Sequence, residues 1–116
     1  MAAPAVNDHD DRQGDAVFKA LSDRSRRLLL DTLRERNGQT LTELCAGLLM
    51  ARQSVSKHLA VLEAAMLVTT VRRGREKLHY LNPTPINEIA ERWIVKYERP
   101  QVRALAELKR NLEKSS

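Results

Sequence analysis

Twelve consecutive residues, Arg52-Gln53-Ser54-Val55-Ser56-Lys57-His58-Leu59-Ala60-Val61-Leu62-Glu63, carry the groups best suited to meeting a polyanion. Arg52, Gln53, Ser56 and Lys57 donate hydrogen bonds of the kind that base edges and phosphate oxygens accept. Val55, Leu59 and Leu62 recur at i, i+4 and i+7, the spacing that gathers side chains on one face of a helix. The donors fall on another face. A helix that only covers a core usually presents Glu/Lys pairs outward, whereas this one presents Gln and two serines, Ser54 and Ser56. The segment therefore predicts a surface that touches something, and double-stranded DNA is the leading candidate.

Charge distribution agrees. Of the net +5, residues 51–81 hold six Lys/Arg against two Glu, and residues 1–15 hold four Asp against one Arg. A basic middle beside an acidic end fits a polyanionic partner better than high pI alone, although a well-solvated surface has the same composition. With 116 residues the chain can build one domain. A single cysteine, Cys45, excludes an internal disulfide framework and fits a reducing compartment. The longest apolar runs, such as Leu48-Leu49-Met50-Ala51, are far short of the roughly 18–20 residues a membrane span needs. No signal peptide is visible, and a cytoplasmic protein is expected.

The elements that must position the polar helix can be read in order. Residues 1–14 read as a disordered arm, and a first helix follows from about Asp15 to Leu21, with Val17, Phe18 and Leu21 as its apolar side. Ser22-Asp23 is a candidate N-cap for a second helix, Arg24 to about Arg36, stopped by Asn37-Gly38, with Leu29, Leu30 and Leu33 inward. Thr40-Leu41-Thr42-Glu43 has the form of a capping box and opens a third helix to about Leu48. A tight Leu49-Met50-Ala51 connection then leads into the polar helix, giving a helix-turn-helix pair. Leu67–Arg73 and Lys77–Leu81 read as two strands around Gly74, a hairpin placed directly after the polar helix. Arg73 and Arg75 at its tip suit phosphates or a narrow minor groove. The fold class expected is mainly α with a small β-hairpin, a winged helix-turn-helix spanning residues 15–112, with 113–116 as a tail.

After Pro83-Thr84-Pro85 the chain reads helical again. Ile86, Ile89, Ala90, Trp93, Ile94 and Tyr97 form a long apolar stripe that Leu105, Leu108 and Leu112 continue. A stripe too long for one small domain to cover predicts a partner helix, most simply from a second copy of the chain. Pro100 is expected to kink or break this helix near Arg99.

Together, Ala20-Leu21-Ser22-Asp23-Arg24-Ser25-Arg26-Arg27, Leu41-Thr42-Glu43-Leu44, Ser54 to Leu62, and Arg73-Gly74-Arg75 to Pro83 resemble the ArsR/SmtB-type bacterial winged-helix repressors, in that family's order. The resemblance implies a homodimer joined through the first and last helices, and repression by occupancy of a palindromic operator. It implies DNA contacts from Arg52, Gln53, Ser54, Ser56, Lys57, Arg73 and Arg75, and a structural or phosphate-contacting role for His58. The implied dimer contacts are Val17, Phe18, Leu21, Ile89, Trp93, Tyr97, Leu105 and Leu108.

Metal-sensing members carry a Cys-x-Cys pair after Glu-Leu, where this chain has Glu43-Leu44-Cys45-Ala46-Gly47. Others place Asp and His ligands on the last helix, which here has neither from Pro85 onward. One thiolate cannot make a three-sulfur site, so no metal and no cofactor is expected, and Cys45 reads as a small buried apolar residue. The chain thus resembles the non-metal branch of the family, and no effector is legible in its residues. Two alternatives stand beside this reading: a metal- or thiol-responsive repressor using Cys45, and a winged-helix module that binds protein. Catalysis is not expected, because no nucleophile turn, Gly-rich phosphate loop or apolar carboxylate pair is present. Phe18, Tyr80, Trp93 and Tyr97 lie on core, wing-strand or interface stripes, which argues against RNA stacking.

Overall fold

Arginines at the start of the second helix tie off the first. α1 (Asp8–Leu21) ends with its last carbonyls facing α2 (Arg24–Glu35). Arg26 donates from Nε to the Ala20 carbonyl at 2.8 Å and from Nη2 to the Lys19 carbonyl at 2.9 Å. Arg27 Nη1 donates to the Leu21 carbonyl at 2.7 Å. Acceptors that a helix end leaves unmatched thus meet cations at the negative end of its dipole. Arg26→Ala is expected to lower unfolding free energy by about 1.5–3 kcal/mol in urea titration, the usual worth of a hydrogen bond to a charged donor.

The computed structural model describes the backbone of residues 8–115 and the side chains of residues 12–94 and 103–114. Its helical start at Asp8 corrects the expected arm: residues 8–14 are helical, and residues 1–7 lie outside the described residues. Acidic residues in the first turns, such as Asp8, Asp10 and Asp11, suit the positive end of a helix.

At the start of α2 the Asp23 carboxylate accepts the Arg26 N–H at 3.0 Å, as an N-cap should. α3 (Leu41–Leu48) opens on the expected capping box: Thr40 Oγ1 accepts the Glu43 N–H at 3.2 Å, and Glu43 Oε1 accepts the Thr40 N–H at 3.1 Å. Glu43 also pairs with Arg36. α3 ends at Leu49, which holds a left-handed φ of 54° and is 93% exposed. A β-carbon there costs energy that glycine would not, and the side chain gains no burial in return. Leu49→Gly is therefore expected to raise the urea midpoint, by about 0.5–1 kcal/mol of stability after glycine's larger entropy loss.

α4 (Arg52–Ala64) is the polar helix of the sequence, with Val55, Leu59 and Leu62 buried. It closes by a Schellman-type turn without glycine. Met66 takes a φ of 64°, its N–H donates to the Glu63 carbonyl at 3.0 Å, and the Leu67 N–H donates to the Leu62 carbonyl at 2.9 Å.

β1 (Val68–Arg73) and β2 (Glu76–Leu81) pair antiparallel from Val68 opposite Leu81 to Arg73 opposite Glu76. Gly74 and Arg75 form the two-residue turn, with Gly74 at a φ of 63°, the conformation that glycine supplies at the first position of a tight hairpin. The base of this wing is stitched to the α2–α3 loop. The Gly38 N–H donates to the His79 carbonyl and the His79 N–H to the Gln39 carbonyl, both at 2.8 Å. Gly38 has a φ of 81°, and a β-carbon there would stand 3.0 Å from the Tyr80 hydroxyl, so a side chain fits neither the conformation nor the space. Asn82 closes the other side, with its N–H on the Leu67 carbonyl and its Nδ2 on the Met66 carbonyl, each at 2.8 Å.

The core is built by Ala20 and Val17 of α1, Leu29, Leu30 and Leu33 of α2, Leu44 of α3, the apolar stripe of α4, and Leu67, Val68 and Leu78 of the wing. Cys45 is half-buried, which corrects the expectation of a buried residue; Leu44 fills the core position of that helix. Val17, expected at a dimer face, is 1% exposed and belongs to the protomer's own core, while Phe18 is 49% exposed and Leu21 half-buried. About a hundred degrees of helix rotation separates adjacent side chains, enough here for Val17 to turn into the core while Phe18 stays exposed.

The chain divides after Pro85 into a second compact unit. α5 (Thr84–Ile89) leads into a π-helical turn at Ala90–Val95 and then α6 (Lys96–Ser115). Of the kink or break expected near Arg99, the break is absent: α6 runs through Pro100, and an irregular π-helical stretch lies just upstream. Proline removes one i to i−4 bond, and π segments are an independent source of helix irregularity. Ile89 is buried, whereas Trp93, Ile94, Leu105, Leu108 and Leu112 are exposed. The Tyr97 side chain lies outside the described residues.

Candidate nucleic-acid interface

The outward face of α4 begins immediately after the turn from α3. Arg52, Gln53, Ser56 and Lys57 are exposed and line one shallow depression together with Leu41. Because 52, 53, 56 and 57 are separated by one, three and one positions, one side of a helix carries all four over a turn and a half. Their groups are two cations, a primary amide and a hydroxyl, and no carboxylate lines that depression. Such a set presents no negative charge to a polyanion; its cations can donate to phosphates and guanine acceptors, and the Gln53 amide can both donate to and accept from adenine.

A second, deeper cleft opens between α3, α4 and the wing, and Thr42, Arg52, Ser56, Glu63, Arg75 and Lys77 are among its lining residues. Arg52 and Ser56 thus face the wing turn that carries Arg75. Lys77 Nζ stands 3.4 Å from Glu63 Oε1 and links β2 to α4. Arg73 is exposed on the last residue of β1.

Two of the expected contact residues are placed otherwise. Ser54 is half-buried and lines neither depression. His58 is half-buried, with Nδ1 3.8 Å from the Asp23 carboxylate, so it points back at the N-cap of α2 rather than outward. His79 is buried, with Nδ1 2.9 Å from the Gln39 carbonyl, in the bridge that sets the wing.

Two residues that matter here escaped the sequence. Gln39 is buried; its Nε2 donates to the Arg36 carbonyl at 2.7 Å while its backbone carries the wing. Thr42 accepts a hydrogen bond from Arg52 Nη1 at 3.2 Å. Neither contact follows a helical or strand period, so no periodicity could have revealed it.

Charge around the scaffold is held by hydrogen bonds. Asp23 is kept below the ordinary carboxylate range, chiefly by the Arg26 N–H, then by the nearby charges of Arg26 and His58. Glu43 is lowered chiefly by the Thr40 N–H, then by the Thr40 hydroxyl and the Arg36 charge. A carboxylate lowered on folding contributes stability that is complete above its unfolded pKa and disappears as pH falls through its folded pKa. Unfolding midpoints should therefore drop below the ordinary carboxylate range, and Thr40→Val, which removes the hydroxyl acting on Glu43, should flatten that acid limb. An acid limb unchanged by Thr40→Val would contradict the assignment.

Comparison with known proteins agrees with this geometry. Residues 21–71, which run from the end of α1 into β1, match the family described as a helix-turn-helix domain. The chain is 45% identical over 86 residues to the HTH-type transcriptional regulator YuzN of Bacillus subtilis (strain 168), covering 69% of this chain and 94% of that one. It is 32% identical over 72 residues to the transcriptional repressor SdpR of the same organism, covering 62% and 79% respectively. Among solved structures, an ArsR-like transcriptional regulator from Rhodococcus sp. RHA1 superposes with a TM-score of 0.65 at 33% identity, covering 89% of each chain. A donor-rich helix face beside an arginine-bearing wing, in a chain with these relatives, belongs to the ArsR family of winged helix-turn-helix transcriptional regulators, which bind DNA and are not enzymes.

Proposed function

We propose that this regulator is a cytoplasmic homodimeric repressor that occupies a palindromic operator, with α4 of each protomer in a major groove and the wing on the adjacent backbone. The observation that carries the reading is the gathering of Arg52, Gln53, Ser56 and Lys57 on one exposed face at the N-terminal half of α4. That is the part of a recognition helix that reaches base edges. Arg73 and Arg75 supply phosphate or minor-groove contacts. His58 and Ser54 support the helix from its half-buried side.

Dimerisation is supported by exposed apolar residues, Leu105, Leu108 and Leu112 on α6 and Phe18 on α1, which a second copy of the chain would cover. No helix among the described residues is long and apolar enough to cross a membrane. The reading includes no metal. Among the described residues no group of three or more His, Cys, Asp or Glu stands together as a metal site, and both described histidines face partners within the scaffold. The test is a mobility-shift titration on the DNA upstream of the protein's own gene. The expected result is a retarded species containing two protomers, whose affinity falls with salt; a monomeric complex, or none, would refute the proposal.

A further inference from the structure

Arg52 is the first residue of the recognition helix, and it is exposed. A free arginine at such a position samples many rotamers, and the entropy of choosing one is paid on binding. Here Nη1 donates to Thr42 Oγ1 at 3.2 Å, across the turn that joins α3 to α4. Thr42 itself stands on a fixed base. It lies between Thr40 and Glu43, whose reciprocal capping bonds set the first turn of α3, and Glu43 is further held by Arg36. The partner's chemistry also matters. Glu43, Glu63 and Glu76 line the same cleft as Arg52; Arg36 engages the first and Lys77 the second, and none of the three pairs with Arg52. Among the described residues Arg52 makes no ion pair, so a neutral hydroxyl orients it and its full charge stays available to DNA.

Resting on the assignment of α4 as the DNA-reading helix, we infer that Thr42 is a positioning residue that sets the direction of the Arg52 guanidinium and thereby contributes to sequence discrimination. A fixed guanidinium favours the site for which its fork is aimed, and gives little advantage on DNA where phosphates can be met from many directions.

The experiment measures affinity for a duplex selected by the wild-type protein and for a scrambled duplex, at one salt concentration. Thr42→Val is expected to weaken the selected duplex about five- to tenfold, the net worth of one ordinary hydrogen bond, and the scrambled duplex less than about twofold. Thr42→Ser, which keeps the hydroxyl, should retain wild-type values. In an Arg52→Ala background Thr42→Val should cause no further loss, since the group it orients is gone. Equal weakening of both duplexes, no weakening, or the same loss in the Arg52→Ala background would overturn the inference. A wild-type protein that selects no duplex would overturn the reading beneath it, a failure visible before any substitution is made.

Discussion

Leu62→Ala is expected to lower the stability of the fold by about 2–5 kcal/mol, the range for emptying a buried leucine site. Leu62 is fully buried on the inner face of α4, and its carbonyl receives the Leu67 N–H that turns the chain into the wing. Native domains are stable by only about 5–15 kcal/mol, so the loss is a large share of the total. For a domain of this size the thermal midpoint should fall by more than about 10 °C. The effect on DNA affinity should follow the folded fraction and disappear when the protein is assayed cold and saturated with operator, because the outward face is untouched. A Leu62→Ala protein with a wild-type midpoint would mean that the core is not where the structure places it.

The second large effect is ionic. Arg52, Lys57, Arg73 and Arg75 are exposed on the proposed DNA side, and a dimer presents each of them twice. If these cations neutralise about eight phosphates, raising salt from about 50 to 200 mM should weaken binding by about 10³–10⁵-fold through counterion release. Removing a wing cation, as in Arg75→Ala, should reduce the slope of log affinity against log salt by about two per dimer. A slope near zero would leave the basic surface without a polyanionic role. The slope also separates charge from sequence reading, because counterion release is insensitive to base order.

Much of this architecture was legible because local chemistry and global fold agree. Asp23, Thr40 and Glu43 announced their helices by caps that the structure realises atom for atom, and the 3.6-residue period of Val55, Leu59 and Leu62 gave the inner face of α4. Gly74 marked the hairpin through a conformation that other residues rarely adopt. What could not be read lacked such a signature. Met66 and Leu49 occupy left-handed positions where the sequence offers no glycine, so tertiary packing and connection length, not propensity, set those turns. The bridge between Gln39 and His79 joins residues 40 positions apart, and only the assembled core brings them together.

The proposed recognition face was legible in part for the same reason. Arg52, Gln53, Ser56 and Lys57 share a helical phase, so spacing alone grouped them. Ser54 and His58 lie on the boundary of that phase, and a side chain there turns in or out according to neighbours from another helix. For His58 the neighbour is Asp23, 35 positions earlier in the chain. The helical start at Asp8 escapes the sequence because a chain terminus reads as an arm, although its acidic residues suit the first turns of a helix.

The most direct test of the central claim, that the outward face of α4 reads base sequence, is the ratio of affinities for a selected operator and a scrambled duplex. It should be measured at fixed salt for the wild type, Gln53→Ala and Arg75→Ala. Gln53→Ala should lower the ratio by about 5–150-fold, the equivalent of 1–3 kcal/mol per lost base contact, while Arg75→Ala weakens both duplexes alike and leaves the ratio unchanged. A ratio unchanged by Gln53→Ala, or lowered only by Arg75→Ala, would contradict the assignment of α4 as the reading helix.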